Sequence, residues 1–147
     1  MVDTNNWSSR RRGGGMAVLF ASAVIAASAF MSVSASAGGA TCDGVPATIV
    51  GSNGNNEIDG TPGRDVVQAR GGNDEVDTLG GNDLICGGAG SDNLSGDAGD
   101  DRVLGGLGND ELDGNAGVDR LIGGPGFDTI DGGLGNDFCS GENVERC

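Results

Sequence analysis

The 147-residue chain has no histidine, no lysine and no tyrosine, and only one tryptophan and four phenylalanines. Without imidazole, histidine-based catalysis and histidine-ligated zinc are excluded. So few large aromatics cannot build the core that a domain of this length ordinarily has. Basic residues are limited to 8 arginines against 22 acids, a net charge of −14. That balance excludes nucleic acid as a partner, because phosphate binding draws on clusters of lysine and arginine. It favours cations. What the chain has in excess is glycine, 31 residues, roughly three times the usual ~7%.

The N-terminus has the pattern of a secretory signal peptide. Arg10-Arg11-Arg12 forms a basic region, Met16 to Val33 is apolar or small, and Ala35-Ser36-Ala37 is an A-x-A cleavage site. Cleavage is expected after Ala37, with Ala35 as the alternative, so residues 1–37 are set apart from the fold. The arginines after Ser9 hint at twin-arginine export, although Gly13 to Gly15 depart from that pattern. An uncleaved membrane anchor is the rival reading, since an 18-residue stretch is just long enough to span a bilayer. Gly39-Ala40-Thr41 before Cys42 is a poor lipidation signal. Cleavage removes Asp3 and three arginines, leaving 21 acids against 5 arginines, or −16 over 110 residues. That charge density repels itself unless cations neutralise it.

The order of the remaining residues argues against simple disorder. Cut in nines from Gly51, the chain reads GSNGNNEID, GTPGRDVVQ, ARGGNDEVD, TLGGNDLIC, GGAGSDNLS, GDAGDDRVL, GGLGNDELD, GNAGVDRLI, GGPGFDTID and GGLGNDFCS. Ten units fill residues 51–140 without an insertion. Position four is glycine in all ten, position six is aspartate in all but the first (Asn56), and position eight is apolar, from Ile58 to Cys139. Positions one to six are turn-forming. The glycine at position four predicts a positive φ. Positions seven to nine predict a short strand whose middle side chain points inward. Each unit buries one side chain, so no unit folds alone, and stacking is required.

The motif G-G-x-G-x-D-x-U-x, clearest in GGAGSDNLS, GGLGNDELD and GGPGFDTID, resembles the hemolysin-type calcium-binding repeat of the repeats-in-toxin (RTX) family. The resemblance implies an all-β parallel β-roll. Two nonapeptides make one 18-residue coil, so ten units make about five coils, with Ca²⁺ held between successive turns. Residues 38–50 are then an N-terminal cap and 141–147 a disulfide-linked C-terminal cap. Oxygen-only donors suit calcium. By the resemblance, one loop supplies the carbonyls of positions one and three and its aspartate. The loop one coil later supplies the carbonyls of positions two and four and its own aspartate. One such set is Gly87, Ala89 and Asp92 with Gly106, Gly108 and Asp110. The next is Gly105, Leu107 and Asp110 with Gly124, Gly126 and Asp128. On the opposite side, Gly96, Ala98 and Asp101 meet Asn115, Gly117 and Asp119. With Asp65, Asp74, Asp83 and Asp137 the column provides up to about seven ions. Asn56 removes a charge from the first site. Ala69-Arg70 and Thr78-Leu79 replace Gly-Gly in units three and four, so their turns are expected to be strained or less regular. Val118 and Phe127, at position five, are expected to face solvent.

The four cysteines, Cys42, Cys86, Cys139 and Cys147, favour disulfides in a secreted chain. Cys86 and Cys139 lie about three coils, roughly 14 Å, apart, too far to bridge. Cys42–Cys86 and Cys139–Cys147 are the expected staples, with Pro46 to Val50 as a capping strand. No G-x-S-x-G, P-loop, G-x-G-x-x-G or EF-hand loop occurs. Repeated acids such as Asp74-Glu75 read as ladder chemistry and not as a glycosidase pair, so no enzymatic activity is expected. The expectation is a secreted calcium-binding protein whose repeats fold on Ca²⁺. The alternative is an extracellular adhesive or interaction protein, meeting cell wall, polysaccharide or a protein partner, in which calcium is only structural. Its outer face, positions seven and nine, is expected to be mixed (Glu75, Asp77, Asn93, Arg102, Thr129). No nucleic acid partner is expected, and no membrane contact after cleavage.

Overall fold

Glycine-rich turns alternate with three-residue apolar-centred segments, and each segment becomes a strand. The computed structural model describes residues 39–147; residues 1–37, read above as a signal peptide, therefore lie outside the described residues. A small antiparallel hairpin comes first, β1 (Thr41–Cys42) and β2 (Val45–Pro46). Every later strand joins one of two six-stranded parallel sheets, and the chain alternates between them. Sheet I contains β3 (Ile49–Val50), β5 (Val66–Gly71), β7 (Leu84–Ala89), β9 (Arg102–Leu107), β11 (Arg120–Ile122) and β13 (Phe138–Ser140). Sheet II contains β4 (Glu57–Asp59), β6 (Glu75–Asp77), β8 (Asn93–Ser95), β10 (Glu111–Asp113), β12 (Thr129–Asp131) and β14 (Asn143–Glu145). The pairing register is i to i+18, as in Val67↔Ile85 and Leu94↔Leu112. This is the all-β parallel roll of 18-residue coils that the repeat implied.

The core lies between the sheets and is one side chain wide. Position eight supplies it: Val67, Ile85, Val103 and Leu121 from sheet I face Ile58, Val76, Leu94, Leu112 and Ile130 from sheet II, all buried. A Leu at this position buries on one inner face because neighbouring strand residues point the opposite way. Ten units fill five coils, and two further strands lengthen the sheets. Ile49–Val50 adds to β5 at the N-terminal end. Asn143–Glu145 adds to β12 at the other end, in a shortened coil with Thr129 opposite Asn143. Only Ile49–Val50 of the expected capping segment joins the roll; Pro46 pairs with Thr41 in the hairpin.

Three features differ from the sequence-based reading. Strands β5, β7 and β9 run six residues, through positions one to three as well as seven to nine. The outer faces are not mixed but segregated. Units alternate between sheets, so every acid at positions seven and nine falls on sheet II: Glu57, Asp59, Glu75, Asp77, Glu111, Asp113 and Asp131. Sheet I carries none there, and offers Arg102, Leu104, Arg120 and Ile122 instead. Finally, Val66 and Leu84, at position seven, form a second small core with Cys42, roofed by Val45, Ala47 and Cys86. The hairpin lies over the first coils of sheet I, pinned by the Cys42–Cys86 disulfide and by an Asp43–Arg102 ion pair. The Cys139–Cys147 disulfide closes the far end, where Arg146 also pairs with Asp131 through two nitrogens.

Candidate metal centre

The loops are shaped by two left-handed positions, where one was expected. Position four has positive φ from Gly72 to Gly126, but not at Gly54 or Gly63 in the first coil, nor at Gly135 in the last unit. Position two is left-handed as well, and not only in glycine: Arg70, Leu79, Asp97 and Asn115 all have positive φ. Arg70 and Leu79 thus carry the strain expected of units three and four. Val118 and Phe127 are exposed, as position five requires.

These two bends turn the aspartate of position six inward. Asp65, Asp74, Asp83, Asp92, Asp101, Asp110, Asp119 and Asp128 are all at least 94% buried. From Asp74 to Asp137, one carboxylate oxygen of each position-six aspartate accepts in a ladder. The backbone N–H of Asp92 donates to Asp110 Oδ1 at 3.0 Å, that of Asp101 to Asp119 Oδ1 at 2.8 Å, and that of Asp110 to Asp128 Oδ1 at 3.1 Å. The same bond joins Asn56 to Asp74, Asp65 to Asp83, Asp74 to Asp92, Asp83 to Asp101 and Asp119 to Asp137. The structure therefore brings together the two aspartates of every loop pair named from the sequence.

The second oxygen has no partner. Oδ2 of Asp74, Asp83, Asp92, Asp101, Asp110, Asp119 and Asp128 is buried and accepts no hydrogen bond. An unpaired buried carboxylate oxygen is costly, and seven in phase need a counter-charge. In five of these loops Oδ2 lies against the glycine at position one, Gly87, Gly96, Gly105, Gly114 and Gly123; in the loops of Asp74 and Asp83 position one is Ala69 and Thr78. A Cβ on Gly105 would stand 2.5 Å from Asp110 Oδ2 and 2.7 Å from the carbonyl oxygen of Gly123 in the next coil. Gly87, facing Asp92 Oδ2 and Gly105 O, repeats the arrangement. At Gly87, Gly105 and Gly114 a carboxylate and a carbonyl oxygen thus converge on a space that a Cβ would fill. Hard oxygens converging this way fit a divalent cation such as calcium.

The other named donors flank these gaps. The carbonyls of Ala89, Ala98 and Leu107 accept the N–H of Gly72, Gly81 and Gly90 one coil earlier, each keeping a second lone pair. The Asn115 carbonyl accepts the N–H of Leu134 at 2.6 Å. Gly108, Gly117 and Gly126 stack so closely that a Cβ on each would overlap the carbonyl oxygen of Gly90, Gly99 and Gly108. Gly106 and Gly124 sit likewise above the carbonyls of Gly88 and Gly106. Among the described residues no three acidic or thiol side chains converge on one point. Any ion here would therefore be held by two carboxylates at most, with backbone carbonyls completing its shell.

Electrostatics match the geometry. Burial raises the carboxyl pKa of Asp74, Asp83, Asp92, Asp110 and Asp119 above the ordinary value, against backbone hydrogen bonds that lower it. Asp101 is pushed up to about 7, first by burial and then by Asp83, Asp119 and Asp100. The anionic column is held in a place that disfavours it, as expected where a metal neutralises it.

Sequence reasoning missed two further hydrogen-bonded features. At position five, Asn55, Asn73, Asn82, Asp100 and Asn109 accept the N–H of the residue one coil later, forming an outer ladder parallel to the aspartates. The recurring Asn or Asp in that column was its signal. In the first coil, Ser52 and Thr61 close their loops with side-chain bonds; their signal was a hydroxyl where other units have glycine or another residue.

The family model described as the RTX calcium-binding nonapeptide repeat (4 copies) matches residues 50–85, 80–112 and 113–143. No curated protein and no solved structure matches the chain. With the repeat profile spanning residues 50–143 and a buried aspartate column in every coil that it covers, the chain belongs to the family of RTX calcium-binding nonapeptide repeat proteins.

Proposed function

We propose that this is a secreted calcium-binding protein whose roll assembles as Ca²⁺ enters between successive coils. The observation that carries this reading is the set of seven buried, unpartnered carboxylate oxygens repeating every coil. Each ion joins two coils and removes two negative charges from a chain that otherwise repels itself. Residues 1–37, read as a signal peptide, take the protein to a compartment where millimolar calcium and disulfides coexist. Catalysis is no part of this reading. Calorimetric titration with Ca²⁺ and Mg²⁺, alongside far-UV circular dichroism, tests it. Calcium should give heat and a gain of β signal, with magnesium much weaker. A chelated protein that is already fully β-rich, or a titration without heat, would refute it.

A second reading is favoured by the segregation of charge. Sheet I presents an acid-free outer face, with Leu104 beside Ile122 and Arg120 stacked on the Phe138 ring at 4.6 Å. Such a face suits an extracellular interaction protein. Calcium-dependent retention on isolated cell wall, lost in Arg120→Glu, would support it.

A further inference from the structure

The first coil differs from the others at the atoms on which the calcium reading rests. In units three to nine the second carboxylate oxygen of position six is unpartnered. In units one and two the corresponding atom is already occupied. Asp65 Oδ2 accepts the N–H of Thr61 at 2.7 Å and the Thr61 hydroxyl at 2.9 Å. Asn56 Oδ1 accepts the N–H of Ser52 at 2.7 Å, and the Asn56 amide donates to Ser52 Oγ at 2.9 Å. The same hydroxyls reach position four: Thr61 Oγ1 lies 3.2 Å from Gly63 O, and Ser52 Oγ lies 3.2 Å from Gly54 O.

The backbone accompanies this change. Position two is left-handed from Arg70 onward, whereas Ser52 and Thr61 are not, and neither are Gly54 and Gly63. A β-branched threonine avoids the left-handed region. Its N–H consequently turns in towards the carboxylate. These two loops close on themselves, in the manner of hydroxyl-anchored turns.

We infer that Ser52 and Thr61 do in the first coil what a cation does in the others, making it a calcium-independent cap. A hydroxyl contacts the carbonyl of position four, a donor that a loop offers to an ion on its N-terminal side, and the side chain of position six, which a loop offers on both sides. No coil of the roll precedes the first, so no ion could be shared there, and a hydroxyl supplies the missing contact. The hairpin reinforces the cap, because Cys42–Cys86 and Asp43–Arg102 tie the segment before it to β7 and β9. Eight loop pairs exist one coil apart, from Asn56–Asp74 to Asp119–Asp137. Two of them use loops one and two as the N-terminal member, with position six occupied. Six ions follow, not seven. The cap is also a preformed edge, Val66–Gln68 and Glu57–Asp59, on which the next coils pair as calcium arrives.

This inference rests on the proposed calcium role, and native mass spectrometry separates the two. A protein that binds no calcium sinks the role itself; one that binds seven or more ions sinks only the cap. The expected count is six. Thr61→Gly converts unit two to the consensus GGPGRD, frees Asp65, and should raise the count to seven. An unchanged count overturns the assignment. Hydrogen exchange of the disulfide-intact protein in excess chelator gives a second readout. Amides of residues 48–68 should exchange at least tenfold more slowly than those of residues 90–140. Thr61→Val should lose that protection while Thr61→Ser keeps it; equal exchange along the roll, or identical behaviour of the two variants, overturns the cap.

Discussion

Replacing Gly108 by alanine tests the stacking geometry most directly. Gly108 has φ +137, and a Cβ there would overlap the carbonyl oxygen of Gly90 in the preceding coil. Two costs follow. A non-glycine residue forced into such a conformation costs about 1–3 kcal/mol. Relieving the overlap separates the coils locally and weakens the bonds Gly90 N–H to Leu107 O at 2.8 Å and Gly108 N–H to Pro125 O at 3.1 Å, at about 1 kcal/mol each. The total is about 3–5 kcal/mol, a large part of a domain's usual 5–15. Gly63→Ala is the matched control. It occupies the same column, but its φ is not left-handed and its nearest neighbour would be Thr61 Oγ1 at 3.9 Å. Guanidinium unfolding in saturating calcium should place Gly108→Ala about 3–5 kcal/mol below wild type and Gly63→Ala within about 1. Equal effects of the two substitutions would show that the column is glycine for some reason other than coil stacking.

Three further outcomes follow from burial, titration and crosslinking. Leu112 is fully buried between Leu94 and Ile130, so Leu112→Ala should cost about 2–5 kcal/mol in the same unfolding assay. Asp101 has its pKa raised from 3.8 to about 7, chiefly by burial. Its contribution to the metal-free roll is therefore fully present below about 4 and lost as pH rises through about 7. Acidifying calcium-stripped protein from pH 8 to pH 5 should increase its β signal, whereas calcium binding should weaken over the same interval as protons compete for the carboxylates. Chain-entropy estimates give roughly 4 kcal/mol for the Cys42–Cys86 link, whose ends are 44 residues apart, and roughly 2.6 for Cys139–Cys147, 8 apart. Cys86→Ser with Cys42→Ser should thus lower the melting temperature more than Cys139→Ser with Cys147→Ser.

The columns that repeat in every unit were legible because each reports a constraint that every coil shares. Gly90 and Gly108 must let one backbone sit on another, Asp92 and Asp110 must turn into the stack, and Leu94 and Leu112 must fill a core one side chain wide. Nine-residue periodicity exposes all three. It conceals whatever alternates between units, since the chain visits one sheet on odd units and the other on even ones. Glu57, Glu75 and Glu111 share a column with Val66, Leu84 and Arg102 when units are stacked in nines. Stacked in eighteens they separate into an acidic face and an acid-free face, and Val66 and Leu84 stand out as a patch needing cover. Cys86, at position nine, points to the same outer face, so its partner had to come from outside the roll.

What could not be read from composition or spacing belongs to the ends, where translational symmetry fails. Thr61 looks like one more turn residue until its hydroxyl is seen on Asp65 Oδ2, and the last coil shortens to bring Asn143 opposite Thr129. An interior coil has a neighbour on each side to satisfy its carbonyls and carboxylates; a terminal coil has one. The departures at the two ends answer that missing neighbour. Ser52 and Thr61 take the place of position-two glycine at one end, and Cys147 and Arg146 fasten the shortened coil at the other. Ala69 and Thr78, which open the second coil, keep an inward aspartate with an unpartnered oxygen, so they alter the turn without removing its charge. On the cap inferred above, position in the stack, more than similarity to the consensus, decides which loops need a metal.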